Sequence, residues 1–186
     1  MAENSIAAEL DYVQIDRKLV ERAVEALDRA KKAGLKVVTA ESCTGGLIAT
    51  VLSEAPGAAE YLDGGFVTYT PEQKCTALKL DEKLIEKFGP VSAQVAEAMA
   101  RGALECSQAD IAVSVTGVAG PDPDERGNPV GLVYLACARR EGHCVGVKRE
   151  FGDIGRSRIR YLAANEALKL IADGAHARNP ILVGAD

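Results

Sequence analysis

The sequence predicts a three-layer α/β/α domain built on a mixed sheet, and two observations predict it. Short runs rich in β-branched residues, such as Leu35–Ala40 and Asp110–Thr116, alternate with segments whose apolar residues recur at helical spacing. The alternation then gives way to a pair of strands around Glu141-Gly142, a hairpin turn, and to one long terminal helical segment. At 186 residues and 47% hydrophobic content, the chain matches the size of one domain with a sizeable core.

Residues 1–15 read as a flexible arm, 16–174 as a single domain and 175–186 as a frayed tail. Asp16 caps a helix whose apolar positions are Leu19, Val20, Ala23, Val24 and Leu27, and Gly34 ends it. Leu35–Ala40 is the first strand. A helix over Thr44–Ser53 follows, with Leu47, Ile48, Val51 and Leu52 inward, before Pro56-Gly57 breaks the pattern. Tyr61–Tyr69 is a second strand, in which Gly64-Gly65 marks a bulge or a close backbone approach. Pro71 opens a helix carrying Lys74 and Leu78, and Asp81–Phe88 forms another, closed by Gly89-Pro90. Ser92 caps an Ala-rich helix, Ala93–Cys106, whose small residues allow close packing on a sheet. Strand Asp110–Thr116 runs into a long Gly-, Pro- and Asp-rich loop ending near Pro129, a functional candidate by its length. Val130–Arg139 and Cys144–Phe151 are the hairpin strands. Asp153 leads the last helix to Ala172, before Gly174, with Ile159, Leu162, Ala163, Leu168 and Ile171 inward.

Twenty-two basic against 27 acidic residues give a net charge of -5, which argues against a dedicated nucleic-acid binder. Five scattered cysteines without CxxC spacing suggest neither a zinc site nor a disulfide framework, and read as reduced thiols of a cytoplasmic protein. No signal core and no apolar run of membrane-spanning length is evident, so neither secretion nor a membrane partner is expected.

The chemistry centres on Val37–Leu47, where a β-branched run delivers Ser42 toward a helix start through Cys43-Thr44-Gly45-Gly46. The two glycines allow close approach of a ligand, and a helix N-terminus favours negative charge beside the hydroxyl. Ser42 or Thr44 can equally serve as a plain N-cap. A nucleophilic serine needs a base, and both histidines are poorly placed: His143 follows a hairpin turn and His176 lies in the tail. Lys74 is the remaining base if burial lowers its pKa; its alternative is a solvated helix surface. Cys43 is either a rival nucleophile or a buried small hydrophobe. Arg156 and Arg160 lie four residues apart, so they can grip a phosphate or carboxylate, or simply line a solvated face with Arg149 and Arg158. Gly117 and Gly120 can present backbone N–H groups to an oxyanion or phosphate. Walker and Rossmann loops are absent.

Several blocks in order carry a resemblance: Ala40-Glu41-Ser42-Cys43-Thr44-Gly45-Gly46, Gly65-Phe66-Val67-Thr68-Tyr69 with Lys74, Gly89-Pro90-Val91-Ser92, Val115–Asp122 and Pro129-Val130-Gly131. Together the sequence resembles the CinA C-terminal domain family over about residues 16–172. The resemblance implies a three-layer sandwich with a mixed, mostly parallel sheet of about five strands. It also implies nicotinamide-nucleotide amidase activity, in which the carboxamide of nicotinamide mononucleotide is hydrolysed to nicotinate mononucleotide and ammonia. By resemblance Ser42 is the nucleophile, Lys74 its base and Tyr69 a partner in the pocket. Cys43, Thr44, Gly45, Gly46, Thr116, Gly117 and Gly120 line the site, and Arg156 and Arg160 match the family's paired arginines. The chain departs from the pattern in placing Ile154-Gly155 between Asp153 and Arg156. No metal or cofactor is required by this reading, the partner is a small-molecule nucleotide, and a homo-oligomer is expected. The competing readings are a non-catalytic nucleotide-binding or regulatory module and an amidase of another substrate.

Overall fold

The computed structural model describes residues 15–176, so most of the expected arm and residues 177–186 of the expected tail lie outside the described residues. Helix α1 (Arg17–Ala33) starts where the Asp16 carboxylate accepts the Leu19 N–H and stops at Gly34, whose φ of 68° suits a residue without a side chain. Strand β1 (Val37–Glu41), entirely buried, leads to α2 (Leu47–Ser53), α3 (Ala58–Tyr61) and β2 (Leu62–Val67). Helices α4 (Pro71–Leu78), α5 (Glu82–Phe88) and α6 (Ala93–Glu105) follow, capped by the side chains of Thr70, Asp81 and Ser92. Strands β3 (Ile111–Gly117), β4 (Leu132–Arg139) and β5 (Cys144–Glu150) and helix α7 (Arg156–His176) complete the described chain.

The five strands form one sheet in the order β2-β1-β3-β4-β5. The expected predominance of parallel pairing gives way to an even division: β1 runs parallel to β2 and β3, whereas β3–β4 and β4–β5 are antiparallel. The reason is local, because β3, β4 and β5 are joined by loops without a helical crossover. Alternate residues of the buried strands face opposite layers. Val37, Ile111, Val113, Val115, Val133 and Leu135 pack with α1, α2 and α7. Val38, Ala40, Ala112, Ala136 and Ala138 meet α4, α5 and α6, where small residues on both sides allow the Ala-rich α6 to sit close.

The Gly64-Gly65 reading covers both of its alternatives. The β1–β2 register slips between Val37↔Leu62 and Val38↔Gly64, and a Cβ on Gly65 would lie 2.6 Å from Thr39 Oγ1 and 2.9 Å from Ala49 Cβ. Two expectations change. Gly174 does not stop the last helix: it lies inside α7, where a Cβ would come 2.9 Å from the Cys137 sulfur, so its lack of a side chain serves helix–sheet contact. The same helix begins at Arg156, not Asp153, since the Gly155 carbonyl accepts the first helical N–H groups. No described helix is long and apolar enough to cross a membrane.

Candidate active site

Strands β1, β2 and β3 are mutually aligned, so their C-terminal ends open at one rim of the sheet, where open α/β folds collect ligand-binding groups. Ser42 leaves the end of β1 with its N–H donated to the Val115 carbonyl of β3 at 2.9 Å. Across β2 the chain turns through Thr68-Tyr69-Thr70, and Thr70 caps α4 by accepting the Gln73 N–H. Helical side chains lean toward the N-terminus of their helix, which aims Lys74 back at that rim. Its Nζ lies 3.0 Å from Ser42 Oγ and donates to the Thr68 carbonyl at 2.8 Å. Lys74 is 1% exposed, which excludes the solvated-surface alternative. Burial is the largest influence on this amine and pulls it from 10.5 down to about 8, against the smaller opposing effects of Cys43, Cys75 and Glu72.

Cys43 is also buried, and desolvation pushes its thiol up to about 12, so almost no thiolate exists near neutrality. The buried-hydrophobe reading of Cys43 holds. Both histidines, His143 and His176, are exposed, as their sequence positions suggested.

The N-cap alternative for Ser42 and Thr44 fails on geometry. The cap of α2 is Gly46, at φ 92° and without a side-chain cap of its own, and the helix starts three residues later than Thr44. The group that fills the cap is one the sequence reading missed. Glu41, wholly buried, accepts the N–H groups of Gly46 (3.1 Å), Ile48 (3.0 Å) and Ala49 (2.8 Å), with the Thr39 hydroxyl at 3.1 Å. The helix N-terminus is therefore already occupied by a carboxylate and gives no direct support to negative charge on Ser42. The N–H groups of Cys43 and Thr44 have no acceptor among the described residues.

The remaining expected residues divide. Arg160 donates to the Thr44 carbonyl from Nε (3.3 Å) and a terminal nitrogen (2.7 Å), and so braces the Ser42 turn. Arg156 donates to the Gly120 carbonyl and, at 2.7 Å, to the Tyr69 hydroxyl, tying the loop after β2 and the loop after β3 to the start of α7. Tyr69 is 55% exposed and reaches Ser42 only through its backbone carbonyl, 3.5 Å from Oγ. Thr116 is buried and donates to the Pro90 carbonyl at 2.7 Å. Gly45 lies beside Arg160, and Gly120 offers a carbonyl, not its N–H, to the observed contact. The hydroxyls of Thr44 and Thr68 are buried without a partner among the described residues.

Comparison with known proteins places this chain in a family. The family model described as CinA C-terminal domain matches residues 17–174. A CinA-like protein of Geobacter sulfurreducens is 45% identical over 149 residues, covering 80% of this chain and 35% of that protein. The nicotinamide-nucleotide amidohydrolase PncC of Enterobacter agglomerans is 41% identical over 150 residues, covering 80% of this chain and 90% of that protein. The chain thus spans about a third of the CinA-like relative but most of the amidohydrolase. The crystal structure of the competence/damage inducible protein CihA from Agrobacterium tumefaciens superposes with a TM-score of 0.83 at 41% identity, covering 88% of this chain and 99% of that one. By sequence over nearly all its described length and by fold, the chain belongs to the CinA C-terminal domain family.

Proposed function

We propose that this protein is a nicotinamide-nucleotide amidase that hydrolyses the carboxamide of nicotinamide mononucleotide to nicotinate mononucleotide and ammonia, with Ser42 as nucleophile and Lys74 as base. The observation that carries the reading is the 3.0 Å contact between Ser42 Oγ and a buried lysine amine held at about 8. Binding alone needs no hydroxyl beside a tunable amine. The similarity to the amidohydrolase named above supports the choice of substrate class.

In this mechanism the neutral Lys74 amine takes the Ser42 proton as Oγ attacks the amide carbon. The carbonyl oxygen, now negative, is met by the unengaged N–H groups of Cys43 and Thr44. The Lys74 ammonium returns a proton to the leaving nitrogen, ammonia departs, and water cleaves the Ser42 ester with Lys74 again as base. Arg156 is the arginine assigned to the phosphate. Its two neutral acceptors, Tyr69 and Gly120, are replaceable by an anion, whereas Arg160 is committed to the Thr44 carbonyl.

Ammonia release from nicotinamide mononucleotide, its dephosphorylated riboside and free nicotinamide tests the proposal. The mononucleotide is expected to be the preferred substrate, with activity retained in the presence of a chelator. Equal turnover of all three removes the role given to Arg156, and no turnover of any of them removes the amidase reading in favour of a binding module.

A further inference from the structure

We infer that Glu41 is the positioning residue of the nucleophile: its carboxylate closes the N-terminus of α2 and so fixes the turn that holds Ser42 against Lys74 and leaves the Cys43 and Thr44 N–H groups unengaged. The inference rests on the proposed Ser42 chemistry and extends it by one residue.

Glu41 is the last residue of β1 and the immediate neighbour of Ser42, yet it is 0% exposed. A buried carboxylate is costly unless its oxygens are satisfied. Here four donors converge on it: three backbone N–H groups of the following turn and helix, and the Thr39 hydroxyl from the same strand. The chain therefore folds back on its own strand end, and residues 42–45 must close a tight loop between the Glu41 backbone and the Gly46 N–H that its side chain holds. Within that loop the Gly45 N–H bonds the Ser42 carbonyl and the Leu47 N–H bonds the Thr44 carbonyl, while the Cys43 and Thr44 N–H groups take no backbone acceptor among the described residues. Arg160 braces the same loop from α7 through the Thr44 carbonyl. On the other side the Glu41 carbonyl accepts the Thr68 N–H at 2.8 Å, and the Thr68 carbonyl is the second acceptor of Lys74. One residue thus links both reacting partners: its side chain sets the Ser42 turn and its backbone sets the Thr68 turn that receives the lysine.

A simple helix cap would contribute stability and leave catalysis alone. A positioning residue changes the rate at saturating substrate, since misplacing a nucleophile by about 1 Å costs on the order of 100-fold. Glu41→Gln keeps the shape but removes the charge and turns an amide N–H toward one of the donors. The expected result is a kcat lowered about 100-fold with KM unchanged. An alkyl fluorophosphonate, which bonds an activated serine oxygen to phosphorus with loss of fluoride, gives a readout independent of the nucleotide, with labelling at Ser42 located by mass spectrometry. Labelling is expected to slow in parallel with kcat while the variant still melts cooperatively. Wild-type labelling and kcat with only a lower Tm would overturn the inference, as would a raised KM at unchanged kcat. If wild-type Ser42 is not labelled at all, the inference falls together with the serine mechanism. If wild-type Ser42 is labelled but the mononucleotide releases no ammonia, only the substrate falls, and the labelling rate of Glu41→Gln still decides for or against Glu41. Should Glu41→Gln fail to fold, Thr39→Val removes one of the four donors in a near-isosteric way. A smaller loss of labelling rate is then expected, and an unchanged rate would overturn the inference.

Discussion

Ser42→Ala is expected to abolish amide hydrolysis, with a fall in kcat on the order of a million-fold, the size found when a serine hydrolase loses its nucleophile. Stability should change little, by about 0.5 to 1.5 kcal/mol, because one hydrogen bond to Lys74 is lost while the Thr68 carbonyl still holds the amine. No helix cap is lost, since Glu41 and Gly46 form it. Cys43→Ala should remain active, its thiol being buried and protonated. Parallel ammonia assays and thermal melts of the two variants decide the assignment: an inactive Cys43→Ala beside an active Ser42→Ala would reverse it.

Lys74 carries the second large effect. Lys74→Met and Lys74→Arg should both lose about 100- to 10,000-fold in rate, because neither can accept the serine proton near neutrality. Substantial activity in Lys74→Arg would mean that the lysine is only a fixed charge. In the wild type, kcat/KM should rise with pH through about 8 as the buried amine becomes neutral, and fall away on the acid side. The stability linkage has a definite sign. The folded amine ionises at about 8 and the ordinary one at 10.5, so between these pH values the unfolded chain binds the extra proton and Lys74 stabilises the fold progressively as pH rises. Below 8 both states are protonated and the buried ammonium carries its full desolvation cost. Melting wild type and Lys74→Met across pH 7 to 10.5 checks this sign.

The elements were legible because their signals are local. Asp16, Ser92 and Pro71 act at the helix starts where their chemistry placed them, and Leu19, Ala23 and Leu27 face the core as their spacing required. Boundaries that depend on distant partners were not. Gly174 looks like a helix stop until Cys137, 37 residues earlier, is seen beside it. Ser42 and Lys74 are 32 residues apart, and only the lack of a well-placed histidine and the family resemblance joined them. Glu41 escaped because a charged residue closing an apolar run reads as the solvent end of a strand. Its signal was the rest of its surroundings: a strand buried on both faces, followed by two glycines able to bring backbone N–H groups back to the carboxylate. Tyr69, expected in the pocket by resemblance, is 55% exposed and accepts a hydrogen bond from Arg156 through its hydroxyl.

Arg156 and Arg160 share a property that extends beyond their contacts. Each donates to neutral oxygens, and neither forms an ion pair among the described residues, although the chain carries a net charge of -5 and other described side chains do form ion pairs. An anionic molecule approaching this protein therefore meets general repulsion and, at this rim, two guanidinium groups without a carboxylate partner among the described residues. That contrast favours encounters at the mouth of the site over encounters elsewhere, and it acts over a range set by the salt concentration, about 10 Å at 0.1 M. Raising ionic strength should accordingly lower kcat/KM for a phosphate-bearing substrate while leaving kcat and the turnover of an uncharged amide nearly unchanged. Capture of the substrate and cleavage of its amide are in this way carried by different charges, one solvent-facing and screened by salt, the other buried and governed by pH.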